Sequence, residues 1–459
     1  MNIYLKYSIF LFFLLKYVYN QNGIISLPFK KEIPDLKGVS PKDIISKQAT
    51  NILMAEIRVG NESQKIKLRL EFENYIFYIA GKNSSSEIEF DQKKSKTYQK
   101  LGQKTIIINK SNLEEAILSS DYIYYDKNSN KKYNTTFLLG TKTYKDKAGG
   151  LIGLNLEDEK EIKEYEKYNF MNEIKRIGLI KDLYFTIKYN DKNSGNLIIG
   201  DLPHNYNKNY KKENYKDIYA DFSNNDLTWK IKFDEIYIGI DENSQNKTKV
   251  HDYAYAYFRI EKNIIQATEE YRQILLKSFM TEQINNNLCF QLESIYFYSY
   301  YCKKEADISK MKNIYLYNNK LEYTFVLTYK DLFYYNEYDE NQYLLIIFSS
   351  DPDEEEENGY NDFWILGEPF FKKYQFVFDK TSKRIGFYKN IDNQIINEQS
   401  WFSKNKWYII LIVLLVILCL ILSGLIILFL RNKPKRKIKA NELDDEFDYS
   451  SDKNKLVDE

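Results

Sequence analysis

Cysteine and histidine are the scarcest reactive side chains here, three Cys and two His in 459 residues. His204 and His251 have no metal-ligand spacing with the cysteines, so no metal site is expected, zinc included. Cys419 lies inside a long apolar run near the C-terminus, which leaves Cys289 and Cys302 to pair. One small disulfide is the economical reading in an oxidising compartment, worth roughly 3 kcal/mol for a loop of this size. The acidic run Asp351 to Glu357, DPDEEEE, has the charge to hold a cation or a basic partner, yet it reads as a solvated loop. There is no phosphate loop, no GxSxG nucleophile motif and no nucleic-acid module. Basic and acidic side chains number 66 and 65, so no global field favours nucleic acid. No cofactor is implied.

The elements that would carry any chemistry are strands. Tyr, Ile and Phe abound, with 42 Tyr against 17 Gly and 7 Pro, and this composition favours a mainly β protein. In residues 1–20 Lys6 precedes the apolar run Tyr7 to Leu15, the length of a signal-peptide core. Residues 21–46, with Pro28, Pro34 and Pro41, read as a linker or short pro-segment. Near the other end, residues 396–406 form a juxtamembrane stretch before Trp407 to Leu430, which carries no charge. The core of that run spans about 33 Å as a helix, enough to cross a bilayer. Six Lys and Arg side chains follow between Arg431 and Lys439, and such an excess marks the cytoplasmic side. The expected topology is a single-pass type I membrane protein with a cytoplasmic tail at 431–459. Its bulk would be luminal or extracellular, in the secretory pathway, a vacuole or lysosome, or at the cell surface. The sequons at Asn61, Asn83, Asn109, Asn134 and Asn246 all fall on that side.

Two stretches carry the local grammar of the fold. Alternation in Met54 to Val59 and Lys65 to Leu70, around Gly60-Asn61-Glu62-Ser63, predicts strand, turn and strand. In Phe363 to Tyr388, FWILGEPFFKKYQFVFDKTSKRIGFY, the apolar pair and Gly at Ile365-Leu366-Gly367 lead into a strand at Gln375 to Phe378. A turn follows, and then a second strand at Arg384 to Tyr388. This segment closely resembles the end of the C-terminal lobe in pepsin-like aspartic peptidases, the eukaryotic aspartyl protease family. The opening from Asn51 is similar to the family's first strand pair, Leu151-Ile152-Gly153 to its apolar-apolar-Gly loop, and Trp229 to Gly239 to the strand pair preceding its second site. The resemblance covers roughly residues 47–395. It implies a mainly β, bilobal pepsin-like acid-protease fold, with lobes at 47–190 and 191–395, an inter-lobe cleft for a peptide or protein ligand, and here one C-terminal transmembrane helix.

The family's chemistry, as the resemblance implies, rests on two Asp-Thr/Ser-Gly triplets whose carboxylates share one proton and hold a water. Neither triplet occurs in this chain. Glu71-Phe72-Glu73 matches the first and Arg259-Ile260-Glu261 the second, while Asn109 matches the family's flap Tyr. The extra methylene of Glu71 moves its carboxylate by roughly 1 Å, and displacement on that scale can cost ~10²-fold in rate. Arg259 is a permanent cation that offers neither base nor acid. No functional catalytic residue is therefore expected. If Glu71 and Arg259 face each other, they form an ion pair across the lobe junction; otherwise each points into solvent. The competing expectation is a working endopeptidase in which Glu261 supplies the second acid. A third is an adhesive or structural surface protein.

Overall fold

Period-two alternation sets the strands. In Leu53–Val59 the residues Leu53, Ala55, Ile57 and Val59 are buried while Met54, Glu56 and Arg58 are half-buried. The computed structural model describes residues 23–50, 52–106, 113–126, 130–156, 168–222, 228–241, 247–294, 297–349 and 363–389. The expected signal peptide, the span at 407–430, the acidic run at 351–357, Asn109 and Asn246 lie outside them. Among the described residues, no helix is long and apolar enough to cross a membrane.

The first half supplies β1 (Ile25–Lys31), β2 (Leu53–Val59), β3 (Gln64–Glu71), β4 (Phe77–Ala80), β5 (Gln99–Ile106), β6 (Leu113–Tyr124), β7 (Tyr133–Thr143) and β8 (Gly150–Gly153). Then come β9 (Tyr184–Tyr189), β10 (Ser194–Ile199) and β11 (Tyr215–Tyr219). The second half begins with β12 (Lys230–Phe233), β13 (Glu235–Gly239), β14 (Thr248–His251), β15 (Ala254–Phe258) and β16 (Ile265–Ala267). It continues through β17 (Cys289–Glu293), β18 (Phe297–Lys303), β19 (Asn313–Asn318), β20 (Tyr323–Leu327), β21 (Phe333–Asn336), β22 (Asn341–Leu344) and β23 (Ile346–Ser349). It closes with β24 (Phe363–Leu366), β25 (Phe376–Asp379) and β26 (Arg384–Tyr388).

A thirteen-stranded sheet runs β11-β26-β25-β9-β10-β1-β2-β3-β8-β4-β7-β6-β5 and joins both halves of the chain. A nine-stranded and a four-stranded sheet complete the second half. The expected hairpins are present: β2 pairs with β3 and β25 with β26. Their turns place Ser63 and Lys383 at positive φ, so non-glycine residues take left-handed positions in a glycine-poor chain. Cys289 and Cys302 stand opposite one another on β17 and β18 and form the expected disulfide.

Three details differ from the sequence reading. Residues 25–31 are not linker: β1 lies between β10 and β2, with Leu27 and Phe29 buried. Pro28 suggested otherwise, because proline interrupts central strands, but it stands one position before the stretch that pairs with β2. A helix at Pro41–Ala49, capped by Ser40, then buries Ile44 and Ile45 against Leu36, Leu292 and Tyr343. The lobe boundary at 190 falls in the turn of the β9–β10 hairpin, whose strands share one sheet. Finally, β12 and β13 are not partners, for β12 pairs with β15 while β13 pairs with β14 and β19.

One aromatic cluster ties the halves together. The Phe378 ring lies 5.0 Å from Phe72, Phe185 and Trp229 and 5.5 Å from Phe258. Such contacts are each worth about 0.5–1.5 kcal/mol beyond the area they bury. Phe72 is the middle residue of the first triplet-like segment and Phe258 directly precedes the second, so this cluster positions both.

Candidate functional site

Two loops of matching geometry flank the junction. In the first, β3 runs parallel to β8 with Glu71 opposite Gly153, and β4 returns antiparallel with Phe77 opposite Ile152. In the second, β15 runs parallel to β24 with Phe258 opposite Leu366, and β16 returns with Ile265 opposite Leu366. One step on, Arg259 reaches the level of Gly367, and its N–H donates to Leu366 O at 3.1 Å. Arg259 therefore stands in the second loop where Glu71 stands in the first.

Both loops need their glycine. A Cβ on Gly153 would lie 2.5 Å from Asn74 O, and one on Gly367 would lie 2.2 Å from Ile264 O. Only a residue without a side chain lets the crossing backbone come that close.

The side chains differ sharply. Glu71 is buried, with Oε1 2.5 Å from Arg69 Nε, while Oε2 accepts from Asn74 Nδ2 at 2.5 Å. Arg69 Nη1 also reaches Asp146 Oδ2 at 3.3 Å. Burial raises the Glu71 pKa, with Arg69 and Asn74 opposing and Glu73 and Asp146 adding to the rise. In the second loop Arg259 Nη1 lies 3.7 Å from Glu261 Oε1, an ion pair too long for a hydrogen bond. Glu261 is buried, and its Oε2 accepts the Phe72 N–H at 3.0 Å from the other half of the chain. Burial pushes its pKa from an ordinary 4.5 to about 7; Arg259 and backbone N–H groups pull it down, and the Glu71 charge pushes it up.

A Glu71–Arg259 bridge, one of the two alternatives, is not found among the described residues. Each arginine pairs with the carboxylate two residues along its own chain. On a strand such i, i+2 neighbours share a face, and Arg69 occupies Glu71 from there. Neither charge simply points into solvent, either. Glu73, by contrast, is exposed, so the first loop accommodates a charge by turning it outward. Phe72 and Ile260 fill the middle positions as core residues. Sequence reasoning missed Arg69, Asn74 and Asp146; strand alternation in KIKLRLE places Arg69 on the same face as Glu71 and was the available signal.

Of the sequons, Asn61, Asn83 and Asn134 are exposed. The Asn61 Oδ1 accepts from Ser95 Oγ at 3.2 Å and from Lys96 N–H at 2.7 Å.

The sequence profile of the eukaryotic aspartyl protease family matches residues 53–390. The chain belongs to this family. No curated protein matches it. As an aspartyl protease family member it keeps the mainly β frame, the paired loops and their glycines. At the junction it carries two buried carboxyls with raised pKa values and two guanidinium groups. Of these, Glu261 can take up and release a proton near neutral pH, but Arg259 cannot take part in that exchange.

Proposed function

We propose that this chain is a type I membrane protein whose pepsin-like ectodomain does not cleave peptide bonds and binds a peptide or protein between its lobes. Glu71 and Arg259 replace the dyad, and the observation that carries the reading is Arg259 bonded to Leu366 O just before Gly367, one step past the Phe258–Leu366 pair, as Glu71 stands opposite Gly153. A guanidinium at that position holds no shared proton and activates no water. The single-pass anchor at 407–430, the leader at 1–20 and N-linked glycans at Asn61, Asn83, Asn109, Asn134 and Asn246 complete the proposal.

Peptides from a random library, incubated with the ectodomain from pH 3 to 7, should be recovered intact and enriched on it. Recovery as fragments, suppressed by pepstatin, contradicts the reading.

One observation favours a second reading, an active endopeptidase. Glu71 and Glu261 are both buried and both raised in pKa, and Glu261 feels the Glu71 charge and accepts the N–H of the next residue, Phe72. Two coupled carboxyls are what acid–base hydrolysis uses. Fragmentation that disappears in both Glu71→Ala and Glu261→Gln would establish it.

A further inference from the structure

Next to the second loop, and reached by its Asn263 and by Glu368 after Gly367, the end of β1, the β9–β10 turn and two helices at Tyr329–Leu332 and Glu368–Lys373 enclose a groove of about 880 Å³. That is near the top of the range, about 300–1,000 Å³, that holds drug-sized ligands. Five lysines line it, Lys31, Lys192, Lys330, Lys372 and Lys373, against two carboxylates, Asp331 and Glu368.

Those carboxylates are already engaged. Glu368 is fully buried and is shared by Lys31, at 2.9 Å, and Lys372. Asp331 takes Lys373 at 2.7 Å. Lys192 and Lys330 are exposed and make no ion pair among the described residues. The groove is thus left positive. Burial pulls the Lys31 ammonium below its ordinary value; Glu368 resists the fall and Lys372 adds to it. A concave wall of low dielectric focuses such a field outward.

Three amides, Gln48, Asn193 and Asn263, also line it, and the remainder is apolar or aromatic, with Ile33 exposed and Phe333, Tyr334 and Tyr374 also among the lining residues. A bare phosphate ion would fill a small fraction of this space and leave those rings unused. We propose that the groove binds an acidic peptide segment of a partner protein. Its carboxylates lie along the lysine rim, and an aromatic or branched apolar side chain packs against Ile33, Phe333 and Tyr334. This does not depend on the chemistry of the lobe junction.

The test uses the full chain and a labelled octapeptide of Glu and Asp carrying one Tyr and one Leu, followed by fluorescence polarisation. Binding should saturate and weaken with salt, because the attraction is between charges near solvent. The Lys192→Glu/Lys330→Glu variant, altered only at exposed positions, should weaken it by about tenfold or more, and Phe333→Ala by severalfold. Equal binding of the Gln/Asn counterpart, or undiminished binding by the charge-reversed variant, overturns the proposal. Displacement by inorganic phosphate at matched charge would make this a simple anion site and overturns it as well.

Discussion

The loops after β3 and β15 share a backbone and differ in what they do with charge. Each places a strand beside an apolar-apolar-Gly segment and passes the returning chain within 2.5 Å of where the glycine's Cβ would lie. In the first, Glu71 is held by Arg69 and Asn74, and Glu73 faces water. In the second, the charge at the Glu71 position is reversed, and the buried carboxyl moves two residues on, to Glu261. The lesson is that backbone close approach survives changes in side chain that the chemistry of the site does not.

The largest predicted effect breaks the shared part. Gly367→Val should destabilise the ectodomain by about 4 kcal/mol, since its Cβ has nowhere to go. Gly153→Val should act alike, and thermal melts at one pH compare them. A melt unchanged by either would show that the loops are not close-packed.

The next sharpens the difference. Glu261 has a folded pKa near 7 against an ordinary 4.5, so the fold binds more protons than the unfolded chain between those values. Stability from this group is complete below pH 4.5 and is lost as pH rises through 7, by about 3 kcal/mol in total. Glu261→Gln should therefore raise neutral-pH stability by up to that amount and flatten the pH dependence of denaturant midpoints. A variant that keeps the wild-type slope would remove Glu261 as its source.

Smaller effects follow for the arginines. Arg69→Met leaves Glu71 and Asp146 without their cation and should cost about 2 kcal/mol at pH 7, falling in acid as Glu71 protonates. Arg259→Met removes a pair of similar burial but 3.7 Å long, without a hydrogen bond, and should cost less, about 1 kcal/mol. Equal losses would mean that the two loops are electrostatically equivalent after all.

Much of this was legible in the sequence. The hairpins β2–β3 and β25–β26 follow from alternation and turn residues, and the segment FWILGEPFF marks the second loop. The substitutions at 71 and 259 were visible too. Less legible was anything set by contacts distant along the chain. Phe72 N–H meets Glu261 across 189 residues, and no local pattern announces it. Asp146 reaches Arg69 only because β8 lies against β3. The N-terminal strand was obscured by Pro28, whose tolerance depends on where the pairing with β2 begins. Glu73 and Glu261 occupy matching positions with opposite exposure, a difference of packing rather than of residue type.

The central claim is that the junction holds two separate arginine–carboxylate pairs, not a pair of acids sharing a proton. Carbon-13 NMR titration of the Glu71 and Glu261 carboxyls, in wild type and in Glu71→Gln, tests it most directly. The account predicts that Glu261 titrates near pH 7 and moves by less than about one unit when Glu71 is neutralised. A drop of several units in the Glu71→Gln protein would reveal a strongly coupled dyad and contradict it.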